Sequence, residues 1–385
     1  MKSLTRYKYY FTLMIALVVG MTLPSCSDDG QGPDDVSPQQ LINYTVTLRV
    51  AGDTQGSRAD GFDDNDYTDR GDDGDLEDPD PVGDFEKLDR VRLIVTNEAG
   101  VVEANYVTFS HEITVKLTTG KKKLYIIGNE GSWDDFGSFA SGINWLSAAK
   151  GDNIGYVYTA MLNLSDGHSV MEGTRLPITG SAEVELTEPQ APEDINQSTE
   201  VWLHRAAVKF TFRMRNNTSR KYTVTDLSLG GMSTAMYLMP KGITMGGKDG
   251  KTITAFDAVP DAATYDIVRT LAVELPAKAA EAADGEWIHL FDKPVYALEG
   301  KLLENNAPKN YPLSITLNNG ELGSSNVLRQ TELPRNTHVY VNITINESGS
   351  ITWQVDVVPY AVVNLEPSFG LEVKGEQNPN TDPEN

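Results

Sequence analysis

Residues of the types that most often carry catalysis are scattered through this chain of 385 residues. The histidines form no pair four residues apart and have no carboxylate at the spacing of a metal site; they are His111, His168, His204, His289 and His338. A partial phosphate loop is present at Gly242, Gly247 and Lys248, but Asp249 stands where Ser or Thr would hold magnesium. The G-x-S-x-G motif of a nucleophilic serine is absent. The sequence therefore predicts a protein that is not an enzyme.

A calcium loop is the second kind of site that the sequence brings into question. Part of its spacing is present at Asp69, Asp73, Gly74 and Asp80. However, Gly71 stands where a ligand is needed, and Asp80 replaces the bidentate Glu of the loop. A solvated acidic tether over residues 59–84 is the favoured interpretation. We expect neither a metal nor a cofactor.

The single cysteine, Cys26, follows a segment with the features of a bacterial secretory signal. Residues 1–25 contain basic side chains and then an apolar run that is too short for a comfortable bilayer span. The segment ends in "LPSC", which has the shape of a lipobox. We expect residues 1–25 to be removed and Cys26 to be lipidated, with two or three acyl chains such as palmitate giving firm membrane retention.

Composition limits what the rest of the chain can do. The 55 acidic and 32 basic residues give a net charge of −23, which disfavours binding to nucleic acid or to anionic lipid. Because Cys26 is the only cysteine, a disulfide framework is excluded and stability must come from core burial. The 385 − 25 = 360 residues after the signal are more than one core usually organises and suit two domains.

The first segment after the signal region with clear periodicity is a strand at residues 41–50. Its alternate positions are apolar, and these predict one buried face: Ile42, Tyr44, Val46, Leu48 and Val50. The strand leads directly into the acidic tether, which cannot form a core of its own. A well-patterned strand joined to the body through a long tether therefore requires an explanation.

Alternating strands follow in nearly every later segment, and they predict an all-β fold of two antiparallel β-sandwich domains. Helical spacing of apolar residues over 132–146 indicates one short helix in the first domain. The most regular strand is predicted over 201–215, with Ala206, Val208, Phe210, Phe212 and Met214 on one face. The expected domains are residues 85–186 and 200–370, joined by a loop at 187–199 and followed by a polar tail at 371–385.

The order of these features resembles the FimA-like fimbrillins, the major subunits of Bacteroidales type V pili. The resemblance rests on several segments in series: "CSDD", "TVTLRVAGDTQGSRADGF", "VRLIVTNEAGVVEA", "KKLYIIGNEG", "PITGSAEVEL" before "VWLHRAAVKFTF", and "LPRNTHVYVNITIN" before "ITWQV". It implies two transthyretin-like sandwiches in a subunit that is exported as a lipoprotein. The acidic start after Cys26 resembles a surface-export signal, so the implied location is the outer face of the outer membrane and the fimbria.

The resemblance also implies how such a subunit matures. An arginine-specific protease would cut between Arg58 and Ala59, so that residues 26–58 are a propeptide carrying the removable strand. Small residues around Arg58 favour this position over Arg70, which lies among aspartates. A C-terminal strand of a neighbouring subunit would then fill the vacated groove by β-augmentation. The chain's partners would be other fimbrial subunits and the protease.

Two C-terminal segments have the alternation that a donor strand needs, residues 351–358 and 360–369. The expected donor residues are Trp353, Val355, Val357 and Val362, with Pro359 as a bend between the two segments. The presence of both a cleavage site and a donor favours a stalk subunit that supports adhesion. An anchor subunit, a tip subunit and a non-polymerising surface lipoprotein remain as alternatives. The last of these would bind glycan or protein through aromatic residues such as Trp133, Trp145 and Trp287, although packing in the core explains each of them equally well.

Overall fold

The structure is a computed structural model that describes residues 41–51, 86–130, 147–154, 161–163, 175–246, 252–256 and 259–359. Within these residues the protein is all-β, and its sheets pack as sandwiches, which confirms the predicted fold class. The helix predicted over 132–146 lies outside the described residues. So do Cys26, Arg58, Ala59, Arg70, Val362 and the candidate calcium ligands.

The first part of the chain forms one sheet of seven strands in the order β3-β2-β5-β7-β8-β1-β4. Its strands are β1 (Leu41–Val50), β2 (Val91–Asn97), β3 (Val102–Thr108), β4 (Glu112–Thr118), β5 (Gly120–Gly128), β7 (Ile178–Leu186) and β8 (Asn196–Arg205). The short β6 (Met161–Asn163) pairs outside this sheet with β11 (Ala235–Tyr237).

The seven-stranded sheet turns a corner between β7 and β8. These strands pair only through Ile178 with Arg205 and Thr179 with His204, whereas the other ladders of the sheet are longer. Gly180 lies at the corner, and a Cβ atom there would approach the carbonyl oxygen of Trp202 to 2.6 Å. A residue without a side chain is therefore needed for the two strands to cross so closely.

One hydrophobic core lies between the two halves of this bent sheet. It takes side chains from both halves: Ile42, Tyr44, Val46, Leu48, Val50, Leu88, Val91, Leu93, Val95, Ile113, Leu117, Leu124, Ile126, Ile178, Leu186, Val201 and Leu203. Because β1 supplies five of these residues, it is a structural member of this core rather than an appendage.

The rest of the chain forms two further sheets. One is β15-β9-β23-β24, with β16 also paired to β9, and the other is β14-β10-β20-β21. Their strands are β9 (Val208–Asn216), β10 (Tyr222–Ser233), β14 (Thr264–Leu275), β15 (Ile288–His289), β16 (Val295–Ala297), β20 (Pro312–Leu317), β21 (Leu322–Val327), β23 (Thr337–Ile345) and β24 (Ile351–Pro359).

Short strand pairs and turns complete the described residues. The pairs are β12 (Ile243–Gly246) with β13 (Thr252–Phe256), β17 (Gly300–Lys301) with β22 (Glu332–Leu333), and β18 (Leu303–Glu304) with β19 (Ala307–Pro308). Two 3-10 helices occur, at Pro192–Ile195 and Asn318–Gly320.

The second core lies between the two later sheets and continues onto the first sheet. It contains Phe210, Phe212, Leu227, Leu313, Val339 and Val341, together with Ile94, Tyr125 and Ile127 of β2 and β5. Strands β2 and β5 are therefore buried on both faces. This explains why "LIV" and "LYII" are continuous apolar runs rather than alternating ones.

The prediction of a single strand over 201–215 is wrong. The strand is interrupted at Ala206 and Ala207, so β8 belongs to the first sheet and β9 to a later one. Both alanines are completely buried. Small side chains allow the chain to pass between the sheets at this point, and the apolar alternation on either side concealed the break.

The loop predicted over 187–199 is shorter than expected, because β8 already begins at Asn196. The polar start of β8 is held by a parallel ladder with β1, which the sequence pattern does not reveal. A second parallel ladder joins β9 and β23. The sheets are therefore mixed rather than purely antiparallel.

Candidate functional site

The candidate site is the groove that holds β1, here defined as the space between β4 and β8. β1 runs antiparallel to β4, with Leu41 opposite Thr118 and Thr47 opposite Glu112. It runs parallel to β8, with Asn43 opposite Asn196 and Val50 opposite Leu203. Both backbone edges of β1 are thus hydrogen-bonded within the sheet. Without β1, the facing edges of β4 and β8 would both lose their partner.

The inward face of β1 is almost fully excluded from solvent. The exposed fractions are 0% for Ile42 and Val46, 3% for Tyr44 and Leu48, and 5% for Val50. At about 1.5–3 kcal/mol for each buried side chain, an upper estimate of this burial is roughly 8–15 kcal/mol. The whole net stability of a domain is about 5–15 kcal/mol. An empty groove would therefore need to be refilled.

The outward face of β1 makes polar contacts that contribute less. Asn43 Nδ2 donates to Asn196 Oδ1 over 3.1 Å, and Thr45 Oγ1 lies 2.9 Å from Thr114 Oγ1. The Arg49–Glu200 pair at 3.1 Å is exposed on both sides, and exposed pairs stabilise a fold only weakly. Burial of the apolar face and backbone hydrogen bonding in the two ladders therefore contribute most to holding β1 in the groove.

Tyr44 is the one inward residue of β1 with a polar end. Burial raises the pKa of its phenol, and a side-chain hydrogen bond with Thr199 on β8 acts in the opposite direction. The phenol thus remains neutral at physiological pH, and the groove contains a polar position close to Thr199.

The C-terminal end of β1 enters a buried polar cluster. The backbone N–H of Ala51 donates to the carbonyl of Leu203 over 2.7 Å. The carbonyl of Ala51 accepts from Asn336 Nδ2 at 3.1 Å and from Arg205 Nη1 at 3.5 Å. Asn336 directly precedes β23, so this end of the groove is completed by residues from another sheet.

Residue Glu86, on the far side of the acidic tether, lies in the same cluster. Its carboxylate is 3.3 Å from Lys209 Nζ and accepts a hydrogen bond from the Tyr296 hydroxyl. Its backbone carbonyl accepts from Arg205 Nε at 3.1 Å. One guanidinium therefore contacts both ends of the segment 52–85, in which Arg58 and Ala59 lie.

The sequence did not single out this cluster. In the alternation of residues 201–215, Arg205 and Lys209 fall on the face opposite Ala206 and Val208, a pattern that predicts solvent exposure, whereas Arg205 is 0% and Lys209 is 2% exposed. One signal was present, since these cations flank two alanines in a segment that is otherwise strongly apolar. Buried cations need partners, and those partners, Glu86 and Asn336, lie more than a hundred residues away.

The candidate donor residues in β24 are part of the chain's own fold. β24 is an edge strand that pairs with β23 from Ile351 opposite Ile345 to Pro359 opposite Thr337. Trp353 is half-buried and donates through Nε1 to Ser324 Oγ at 2.8 Å. Val357 is buried, and Val355 is partly buried. Detachment of β24 would therefore break a nine-residue strand pairing.

Trp287, one of the aromatic residues predicted to bind glycan, is stacked against two arginine side chains. The guanidinium carbons of Arg213 and Arg215 lie 5.3 Å and 4.6 Å from the ring centre of Trp287. Arginine stacking of this kind occupies a face that a sugar ring would need. Trp133 and Trp145 lie outside the described residues.

The histidines within the described residues occupy different environments. His338 is buried on β23, with Nε2 2.9 Å from Thr211 Oγ1, and burial, assisted by the charge of Lys209, holds its pKa well below the usual value. His204 is also buried, whereas His289 is exposed. Across the described ranges, no group of three or more His, Cys, Asp or Glu side chains is arranged to hold a metal ion.

In the part of the chain that the structure describes, no helix has both the length and the apolar character needed to cross a bilayer.

Comparison with known proteins gives similarity at the level of structure only. No protein-family model matches the chain, and no curated protein does so either. Similar solved structures include the tip fimbrial protein Mfa3 from Porphyromonas gingivalis with a C-terminal truncation, at 12% identity and a TM-score of 0.48, covering 83% of this chain and 100% of that one.

Two further solved structures have related descriptions. The fimbrial anchor protein Mfa2 from Porphyromonas gingivalis shares 12% identity at a TM-score of 0.39, with 84% of this chain and 99% of that chain covered. A fimbrial assembly protein from Parabacteroides distasonis shares 10% identity at a TM-score of 0.40, with 83% and 99% covered. At this distance the comparison assigns no role to any single residue of this chain.

Proposed function

We propose that this chain is a structural subunit of a surface fimbria and that β1 is a removable strand. In this proposal the precursor is exported to the outer membrane as a lipoprotein through Cys26. An arginine-specific protease then cuts between Arg58 and Ala59, and β1 leaves. A C-terminal strand of the next subunit fills the groove, so that subunits join into a fimbria that supports adhesion. The tip, anchor and assembly proteins named above define the class to which the proposal assigns the chain.

The observation that carries the proposal is the position of β1. It is an interior strand of the sheet with five buried side chains, yet its covalent connection to the later strands runs only through residues 52–85. A single cut in that segment turns an internal strand into a separate peptide. Its departure opens an apolar groove with two unpaired edges, and such a groove is a template for a strand from another chain.

The stalk role is preferred over that of an anchor, because an anchor needs no cut at Arg58. The proposed donor residues are Trp353, Val355, Val357 and Val362. A tip role is the second candidate. A tip subunit donates no strand, and it would therefore keep β24 paired with β23, as in this structure. The arginine stacking on Trp287 disfavours that residue as a glycan contact of a non-polymerising lipoprotein.

N-terminal sequencing of the protein from intact cells tests the proposal. Polymerised material should begin at Ala59, and material retained in the cell should begin at Cys26 or earlier. A start at Cys26 in polymerised material would contradict removal of the strand and would favour the anchor role. An Arg58→Gln variant should accumulate as uncut monomer, whereas Arg70→Gln serves as the matched control and should assemble normally.

A further inference from the structure

We infer that Arg205 and Asn336 form a carbonyl socket at the end of the groove, and that this socket fixes the register of the strand that occupies it. In the precursor the occupant is β1. In the assembled state it is a C-terminal strand of a second copy of this chain, and this part of the inference rests on the proposed function.

The socket is built to receive one backbone carbonyl. Asn336 Nδ2 donates to the carbonyl of Ala51 at 3.1 Å, and Arg205 Nη1 approaches the same oxygen at 3.5 Å. Ala51 directly follows Val50, the last inward residue of β1. The accepted carbonyl is therefore the one immediately after the apolar face ends.

The socket residues are held in place independently of β1. The backbone N–H of Asn336 donates to the carbonyl of Ala207 at 2.9 Å, and Asn336 Oδ1 accepts from the backbone N–H of Arg205 at 3.2 Å. Asn336 has a φ angle of 59°, in the left-handed region that asparagine tolerates well. Departure of Ala51 would therefore leave oriented donors facing an empty position.

The apolar face of β1 cannot fix the register by itself. Because side chains alternate with a period of two, a slip by one residue would turn the buried face outward and is excluded. A slip by two residues would keep apolar side chains inward at most positions, so burial opposes it only weakly. The same slip would withdraw the carbonyl of Ala51 from the socket, so that the buried Nδ2 of Asn336 would lose its acceptor.

The socket and the groove together describe the partner strand. It runs parallel to β8, presents five apolar side chains at alternate positions, and offers a carbonyl at the residue directly after the fifth. A second copy of this chain can supply most of such a strand from residues 351–359, where Ile351, Trp353, Val355 and Val357 alternate and Pro359 takes the fifth position. A strand with the same alternation but no residue beyond the fifth apolar position should bind less tightly.

The test uses Asn336→Gly, because glycine keeps the positive φ while it removes the side-chain hydrogen bonds of Asn336 with Ala51 and Arg205. The matched control is Asn305→Gly, which also has a positive φ of 52° but lies exposed in the β18–β19 turn. After the full chain is cut at Arg58, the N-terminal fragment should leave Asn336→Gly roughly 5- to 30-fold faster than the control. Equal rates of release would overturn the inference.

A second measurement reads the register directly in the uncut chain, in a Cys26→Ala background. The pair Thr45→Cys and Ser198→Cys lies opposite in the observed register, whereas Thr47→Cys and Ser198→Cys would meet only after a shift of two residues. The shifted pair should cross-link in Asn336→Gly and not with Asn336 intact. A shifted pair that stays unlinked in Asn336→Gly would contradict the inference, even if that variant is less stable.

Neither measurement requires a fimbria. If the unaltered chain fails to polymerise, that result would count against the proposed function. It would not affect the inference that the socket fixes the register of β1. In polymers of Asn336→Gly, cross-links between subunits should appear in more than one register, whereas a single register would contradict the role of the socket in assembly.

Discussion

Lys209 Nζ lies 3.3 Å from Glu86 Oε1, and both side chains are almost completely buried. Lys209 belongs to β9 of a later sheet, whereas Glu86 is the first described residue after the acidic tether. The pair therefore ties the start of the main body of the chain to a distant strand. Because this contact does not involve residues 41–51, it would survive a cut at Arg58, and the new N-terminal segment would stay attached to the fold.

Replacement of Glu86 by Gln should destabilise the protein strongly. The change leaves the ammonium group of Lys209 buried without its counter-charge, which typically costs about 3–5 kcal/mol. Urea unfolding measures the difference in the free energy of unfolding. Glu86→Gln combined with Lys209→Met should recover much of the loss, because the unpaired charge is then gone. The exposed Arg49–Glu200 pair provides the control, and Arg49→Ala should cost less than about 1 kcal/mol. A Glu86→Gln variant as stable as Arg49→Ala would contradict this account.

Truncation within β1 should weaken the first core. Leu48 is 3% exposed, and Leu48→Ala should cost about 2–5 kcal/mol through lost burial and the cavity left behind. Thr47→Ala, on the outward face of the same strand, is the control and should change stability by less than about 1 kcal/mol. Thermal unfolding of the uncut chain compares the two. After a cut at Arg58, Leu48→Ala should also release β1 faster than Thr47→Ala, and the reverse order would be inconsistent with the assigned faces.

His338 should make the stability of the fold depend on pH. Its folded-state pKa lies well below the unfolded value of 6.5, mainly through burial and secondly through Lys209. The unfolded chain therefore binds the proton more readily. The contribution of neutral His338 to the free energy of unfolding is fully present above about pH 6.5. It is lost as the pH falls toward the folded-state pKa. His338→Gln keeps a hydrogen-bonding group near Thr211 and should flatten the stability profile between pH 7 and pH 5. The exposed His289→Gln is the control and should leave the profile unchanged.

The two C-terminal segments should respond differently to a buried charge. Val357 is 2% exposed in β24, so Val357→Asp should reduce the stability of the monomer by several kcal/mol and also reduce assembly. Val362→Asp should leave export and cleavage at Arg58 intact and stop growth of the polymer, because the donor strand would bring an unpaired charge into the apolar groove. Electrophoresis of SDS-resistant oligomers measures assembly, and unfolding of the monomer measures stability, so that the two effects can be separated. A full oligomer ladder from Val362→Asp would remove that residue from the donor strand.

The sequence was sufficient to predict the all-β fold and the buried face of β1. Ile42, Tyr44, Val46, Leu48 and Val50 are all buried, because period-two alternation is a local property that a single strand displays by itself. The break at Ala206 was not predictable in the same way. Alternation continues on both sides of it, and only the choice of sheet partners separates β8 from β9.

The polar cluster was not predictable either, for a related reason. Arg205 acquires its partners from Ala51, Glu86 and Asn336, which are far apart in the chain and meet only after the sheets have packed. A cation in an alternating strand normally indicates a solvated face, and periodicity alone cannot show that the face is covered. The parallel ladder of β1 with β8 was missed because pairing direction depends on the path of the whole chain.

The parallel ladder between β1 and β8 also affects the order of folding. Asn43 and Asn196 are neighbours in space although 153 positions separate them, and closure of such long loops is slow compared with hairpin formation. β1 emerges first during synthesis, yet its site does not exist until β8 has been made and placed beside it. We therefore expect a late kinetic phase of folding, in which β1 pairs with β8 after the other strands have assembled. During that interval the nascent protein presents the open groove that the proposed removal of β1 would create, and a chaperone or a neighbouring subunit could bind to it.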